Sequence, residues 1–364
     1  MKFLHAAALL RPPPGIINQM RWEHEAANEL GLEWDVQLYC PKGWLEPEGF
    51  IQESPTVNAG DPSKGKPLDW LRFRYGYYQW LMAQVENYDA FVLRYYVHDP
   101  FQLMFARRCR KPVYFVHHTL EVPELRLPGT VPARIRATLE RWAGGPTLRA
   151  ATGIIGVTQE IVDYEVGRAG IIDARTFVYP NGIKFDEGAV ADRRGETPEL
   201  LFVAGSFAPW HGLDLLLDSI KQSDAEFTLH LVGNVHEPNL SRAKKDSRIV
   251  VHGLRSSEEI RALAETCWLG LSSFGLHRKN MTEACTLKVR EYLMMGLPVY
   301  AGHRDVVEDE NAFVVSGAAD IESVLRFAKG AFTDRGVVAK HSEASICKKG
   351  LLKRLKGELT DRAL

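Results

Sequence analysis
No two of the five cysteines (Cys40, Cys109, Cys267, Cys285, Cys347) stand as C-x-x-C, and their number is odd. That pattern excludes a disulfide framework and a four-thiolate zinc site, and reads as reduced thiols in a cytoplasmic protein. Net charge is nearly absent as well. The 45 Lys and Arg offset the 46 Asp and Glu to a formal −1, so no global field argues for a nucleic-acid partner. No apolar run approaches the ~20 residues needed to span a bilayer. The opening MKFLHAAALLRPPPG does not read as a signal peptide: His5 interrupts its short apolar run, and Arg11-Pro12-Pro13-Pro14 ends it without a small-residue cleavage site. It reads as a first buried strand. Internal repeats, low-complexity tracts and Asp-x-Asp are all missing.

What is present is alternation. Apolar strand-like runs (Phe3–Leu10, Asp35–Tyr39, Ala90–Leu93, Val113–Val116, Ile154–Val157, Phe177–Tyr179) take turns with helix-like segments (16–30, 71–85, 100–110, 159–168). A polar stretch, DEGAVADRRGETPE, follows. The alternation then restarts with strands at 201–204, 227–232, 249–251, 269–272 and 298–300, and helices at 213–220, 258–265 and 287–295. Strand–helix alternation implies parallel sheets covered by helices on both faces. At 364 residues the chain exceeds the usual size of one core. The expectation is therefore an α/β protein with an N-terminal domain over 1–185, a linker over 186–198 and a second domain over 199–340. A C-terminal helix over 341–364 would pack back on the first domain.

In open parallel sheets, ligands sit where strands end and helix N-termini begin. Two such places stand out in the second half. In FVAGSFAPWHGLDLLLDSI, 202–220, a strand ends at Gly205, a loop follows, and Gly212 opens a helix just after His211. Glycine there lets backbone approach an anion. In MTEACTLKVREYLMMGLPVY, 281–300, Thr286 is placed to cap a helix. The amides of Leu287 and Lys288 would then be free for a phosphate, and Lys288 adds a charge. Glu291 lies a turn and a half into the helix and can accept from two vicinal hydroxyls. Glu283, in the preceding loop, can reach the group on the other side.

Glu283 and Glu291 form an E-x7-E motif, in a context, LKVREYLMMGLPV, that resembles the retaining glycosyltransferases of GT-B architecture, in particular the large family 4 (group 1). FVAGSFAPWHG, LHLVGN, YPNGI, GVTQEIVDYEV and VYFVHHTLEVPEL are similar to further family segments in the same order. The resemblance implies two Rossmann-like domains facing a cleft. It implies an enzyme that moves a hexosyl-type sugar from a nucleotide-diphosphate sugar to a glycan or lipid-linked acceptor, without metal or cofactor. Assembly of a bacterial surface polysaccharide such as lipopolysaccharide is the expected setting. By position, Glu291 would bind the nucleotide ribose and Glu283 the donor sugar. The amides near Thr286 and Leu287, with Gly205, Ser206, His211 and Gly212, would hold the diphosphate. His118 or His117 would stand at the reacting centre, with His118 favoured because it lies just past a strand. Gly15 would border the acceptor.

The chain departs from the family where an arginine and a lysine usually neutralise the diphosphate: Ser206 and His211 occupy those places. Lys288 and Arg290 are the candidates to make up the charge, and a histidine there would make donor binding steeply pH-dependent. Alternatives are another GT-B enzyme, such as a nucleotide-sugar epimerase, or a non-catalytic nucleotide-sugar-binding protein. Three segments are candidates for peripheral contact with the inner face of a membrane: CKKGLLKRLKGEL at 347–359, LRFRYGYYQWLM at 71–82 and RRCRK at 107–111. Packing of the leucines and aromatics into the protein is favoured for the first two, and a solvated helix end for the third.

Overall fold
A computed structural model describes residues 1–59, 67–186, 188–307 and 311–361. Glu187 of the expected linker and residues 362–364 of the expected C-terminal segment lie outside these. The chain divides into two compact units, Met1–Pro180 with Lys348–Leu364, and Asn181–Cys347.

The first unit runs β1 (Phe3–Ala8), α1 (Pro14–Glu29), β2 (Trp34–Lys42), β3 (Ile51–Asn58), α2 (Pro67–Gln84), β4 (Ala90–Arg94), α3 (Pro100–Arg108), β5 (Val113–His117), α4 (Glu121–Arg126), α5 (Val131–Ala150), β6 (Gly153–Gly156), α6 (Gln159–Ala169) and β7 (Arg175–Val178). The strands form one parallel sheet, ordered β3-β2-β1-β4-β5-β6-β7. Residues of β1 divide between its two faces: Phe3 and Ala7 join one core, Leu4, Ala6 and Ala8 the other. A strand covered on both sides has no polar face, which is why FLHAAA is buried throughout.

The second unit runs β8 (Glu199–Ser206), α7 (Leu213–Ile220), β9 (Thr228–Asn234), α8 (Asn239–Ala243), β10 (Ile249–Gly253), α9 (Ser257–Ala264), β11 (Leu269–Leu271), β12 (Glu283–Ala284), α10 (Leu287–Met294), β13 (Val299–Ala301), β14 (Arg304–Asp305), β15 (Val314–Ser316), α11 (Ile321–Gly330) and α12 (Arg335–Ile346). Its six-stranded parallel sheet is ordered β10-β9-β8-β11-β13-β15, and β12 pairs with β14 apart from it. Strand order reverses between β1 and β4 in the first sheet and between β8 and β11 in the second. In such sheets the crevice outside the strand ends at the reversal is the usual ligand site.

The polar stretch before β8 carries no helix or strand between 188 and 198. It is nonetheless tied to the second unit: Val190 donates to the Met295 carbonyl and Arg193 to that of Glu265. The last helix, α13 (Lys348–Asp361), belongs to the first unit, where Leu351, Leu352, Leu355 and Leu359 are buried beside α1 and β7 residues. Its leucines therefore face protein. In α2, Phe73, Tyr77, Tyr78 and Leu81 are buried, and Arg74 is paired with Asp99. Of RRCRK, Arg108 donates to the Tyr78 hydroxyl (2.7 Å) and Cys109 is buried. Among the described residues no helix is long and apolar enough to cross a membrane.

Candidate functional site
At the sheet reversal of the second unit, β8 ends in Gly205 and Ser206, both exposed. A Cβ on Gly205 would meet nothing within 4 Å, so the fold itself does not demand glycine there. Gly212 is different. Its φ is +66°, and a Cβ would sit 2.5 Å from the Gly275 nitrogen, so local packing accounts for it. Ser206 Oγ lies 2.7 Å from His236 Nε2, a pairing with no signal in the sequence.

His211 resolves differently from the sequence expectation of a histidine of variable charge. The Ala208 N–H donates to its Nδ1 (3.0 Å), which fixes the proton on Nε2. Burial, with help from the Lys288 charge, pushes its pKa down to about 3. The ring is thus a neutral N–H donor near pH 7 and cannot itself steepen the pH dependence of binding. Lys279, whose ammonium lies 4.6 Å from the Trp210 ring centre, also acts on His211 and was missed in HRKN.

Helix α10 docks across the same reversal. The Val203 N–H of β8 donates to the Tyr292 hydroxyl (2.8 Å), and Gly270 of β11 leaves room for the Tyr292 ring, which a Cβ would approach to 2.3 Å. Thr286 occupies the cap position with extended backbone, but its hydroxyl makes no capping bond. Thr286 Oγ1 is instead buried with no hydrogen-bond partner, and so is Lys288 Nζ. The lysine ammonium lies 5.4 Å from the Phe202 ring centre. Burial drives its pKa down to about 8, with Glu291 opposing. Buried polar groups are nearly always satisfied. An unsatisfied ammonium and hydroxyl at a helix entrance with no acid in its first turn have the chemistry to receive an anion.

Glu291 is open to solvent but crowded by protein, and burial raises its carboxyl above the ordinary range while Lys288 opposes. His211, Lys288 and Glu291 are therefore brought together, with Leu287 and Thr286 at the helix start. Glu283, on β12, sits opposite Arg304 of β14 and pairs with it at 3.4 Å. Arg290 is committed mainly to the protein: it is fully buried and bonds Asp305 at 2.6 Å and the Asn181 carbonyl, with one guanidinium nitrogen, Nη2, left unpartnered.

In the first unit, α1 starts at Pro14, so Gly15 belongs to the first helical turn and not to a loop. The two histidines separate clearly. His117 ends β5, is fully buried, and stacks on Tyr95 at 4.4 Å. Glu121 and Glu165 lie 3.3 and 3.6 Å from its Nδ1, but neither ring nitrogen is hydrogen-bonded. Burial holds its pKa down to about 4. His118, one residue past the strand, is half-buried and reachable, and burial followed by the Arg94 charge holds it neutral. Burial pushes the Glu121 carboxyl up to about 8. Arg94 closes β4 at the reversal of this sheet. Among the described residues its guanidinium has no hydrogen-bond or ion-pair partner, and burial lowers its pKa to about 10. The arginine ending FVLR was its only sequence signal.

One further cluster has metal-ligating types: Glu199, His230 and Cys267, whose donor atoms lie within 4.8 Å of one another. It sits near the opening ends of β8, β9 and β11, where Cys267 acts on Tyr292 of α10. His230 is hydrogen-bonded to Glu199 (3.0 Å) and to His252 (2.9 Å).

Comparison with known proteins agrees with this fold. A family model described as Glycosyl transferases group 1 matches residues 197–328, and one described as Glycosyltransferase Family 4 matches residues 24–187. No protein of curated function matches the sequence. Among solved structures, the fold is similar to the lipopolysaccharide outer core galactosyltransferase WaaB in its apo form (TM-score 0.67, 15% identity, 100% of both chains covered). It is also similar to sucrose-phosphate synthase from Thermosynechococcus elongatus (0.70, 14%, 100% of this chain and 99% of that one). A third is Anabaena Alr3699/HepE in complex with UDP-glucose (0.64, 14%, 99% and 100%).

Proposed function
The chain belongs to the group 1 glycosyltransferases of GT-B architecture, and on that premise we propose that it moves a sugar from a nucleotide-diphosphate sugar to a glycan or lipid-linked acceptor with retention at the anomeric carbon. The observation that carries the reading is the buried, unpartnered Lys288 ammonium beside the free Thr286 hydroxyl at the entrance of α10. A diphosphate supplies the negative oxygens that both groups lack. The first-turn amides of α10 add donors that need no reorganisation as charge builds on the leaving group. His211 contributes a neutral N–H. These groups do the neutralising without a metal ion. Glu291 accepts from the ribose hydroxyls. Glu283 acts at the donor sugar after exchanging its Arg304 contact. The UDP-glucose held by the Anabaena protein supports a donor of this class.

On the acceptor side, His118 is the reachable histidine and acts at the reacting centre. Arg94, at the same strand ends, is free to meet an acceptor group of negative charge. Pathway follows from the acceptor, and bacterial surface polysaccharide, including lipopolysaccharide, is the assignment we favour.

Calorimetric titration with UDP, ADP and GDP, on wild type and Glu291→Ala, tests the donor site. At least one nucleoside diphosphate binds wild type, and the variant binds it at least about tenfold more weakly. Equal binding by both chains sinks the assignment. Hydrolysis of the donor in the absence of acceptor separates a transferase from an inert binding protein, and interconversion of the free nucleotide sugar would indicate an epimerase.

A further inference from the structure
Helix α5 turns an apolar face outward. Ala133, Ala137, Glu140, Gly144 and Leu148 are buried, in a helix packed against α3, α4 and α6. On the other side Val131, Ile135, Leu139 and Trp142 are 68%, 56%, 55% and 79% exposed. At about 100° per residue these four fall within an arc of roughly 80°, opposite the buried one. A helix on the surface of a globular domain normally shows polar side chains there. Here three turns of it are apolar and end in a nearly bare indole.

The flanks are charged, and of one sign. By the same spacing Arg134 and Arg141 border the stripe on one side and Arg136 on the other, all exposed. The one acid of the helix, Glu140, is turned inward, where it meets Arg168 (3.1 Å) and the hydroxyl of Tyr95 (2.6 Å). The outward face is thus apolar along its middle, positive at its edges and free of acid.

We propose that this face of α5 docks on an anionic lipid bilayer. The four apolar side chains enter the boundary between headgroups and acyl chains, and the three arginines pair with lipid phosphates. The chemistry favours lipid over a second copy of this chain, because facing stripes would bring like-charged arginines together on both edges. An indole flanked by arginines suits the membrane interface, apolar below and wet above. The inference rests on α5 alone and is independent of the donor site.

The experiment is flotation of the full chain with vesicles of phosphatidylcholine containing one-third phosphatidylglycerol, and with phosphatidylcholine alone. Wild type partitions onto the anionic vesicles at least about tenfold better than onto neutral ones, and salt weakens the association. The combined variant Ile135→Ser, Leu139→Ser, Trp142→Ser loses at least about tenfold in partitioning. Its melting temperature and nucleoside diphosphate affinity stay as in wild type. The combined variant Arg134→Glu, Arg136→Glu, Arg141→Glu abolishes the preference for anionic vesicles, and decides the matter if the serine variant fails to fold. Wild-type partitioning by either variant overturns the proposal. So does a wild-type chain that ignores both vesicles but sediments as a dimer that the serine variant dissolves.

Discussion
Replacing Lys288 with methionine should make the protein more stable and a worse binder at once. The ammonium, ordinarily titrating at 10.5, does so here at about 8, because burial outweighs the help of Glu291. At 1.36 kcal/mol per pKa step, holding the charge in that crevice costs the folded chain roughly 3 kcal/mol. The unfolded chain keeps this proton up to about pH 10.5 and the folded chain only to about 8, so the cost is fully present below about pH 8 and fades as pH climbs to about 10.5. Because the side chain is only half-buried and methionine fills the same space without a charge, Lys288→Met should gain about 1–3 kcal/mol at pH 7. That gain should shrink toward pH 10. The same change removes a charged donor from the diphosphate, worth about 1.5–3 kcal/mol, or roughly 10- to 150-fold in affinity. Wild-type affinity should itself fall as pH rises through about 8, since the neutral amine is the weaker partner. Scanning calorimetry at pH 7 and about pH 10, with titration of the best-binding nucleoside diphosphate, reads all three effects. A methionine variant that melts lower and binds as tightly as wild type would refute the reasoning.

Other substitutions should separate site from scaffold. His118→Ala should cut turnover at least about a hundredfold with little change in melting temperature. His117→Ala, by contrast, empties a ring stacked on Tyr95 and should lose about 2–4 kcal/mol in urea unfolding. Arg290→Leu strands the buried Asp305 carboxylate and should cost about 3–5 kcal/mol, whereas the double variant Arg290→Leu, Asp305→Leu should recover much of it. Glu291→Gln keeps one acceptor oxygen, and should bind nucleoside diphosphate between wild type and Glu291→Ala in a calorimetric series.

Segments such as LDLLLDSI and EYLMMGLPVY were legible because local and tertiary demands agree there. The first is a helix over its expected 213–220, and the second carries α10 into β13. Legibility failed where tertiary structure overrode a local rule. Gly144-Gly145-Pro146 argues against a helix, yet α5 runs through it: a Cβ on Gly144 would collide with Glu140 and Arg168, so glycine makes room for that ion pair. Strand β3, IQESPTVN, lies at the sheet edge, carries a proline and has no clear apolar period. At the site, residue types were readable and their states were not. Burial decides that His211 is neutral, that Arg290 is already paired, and that Lys288 has no partner, and one-dimensional spacing carries no record of burial.

The last helix has a consequence for how the molecule is made. Leu351, Leu352, Leu355 and Leu359 complete a core whose other members come from the first half of the chain. Each such leucine is worth about 1.5–3 kcal/mol when buried, so the four rival the net stability of a typical domain, about 5–15 kcal/mol. On a ribosome, the half synthesised first must therefore wait, incomplete, while the half synthesised second emerges and folds. Shaving those final turns should leave the later-made unit intact and the earlier one unable to close.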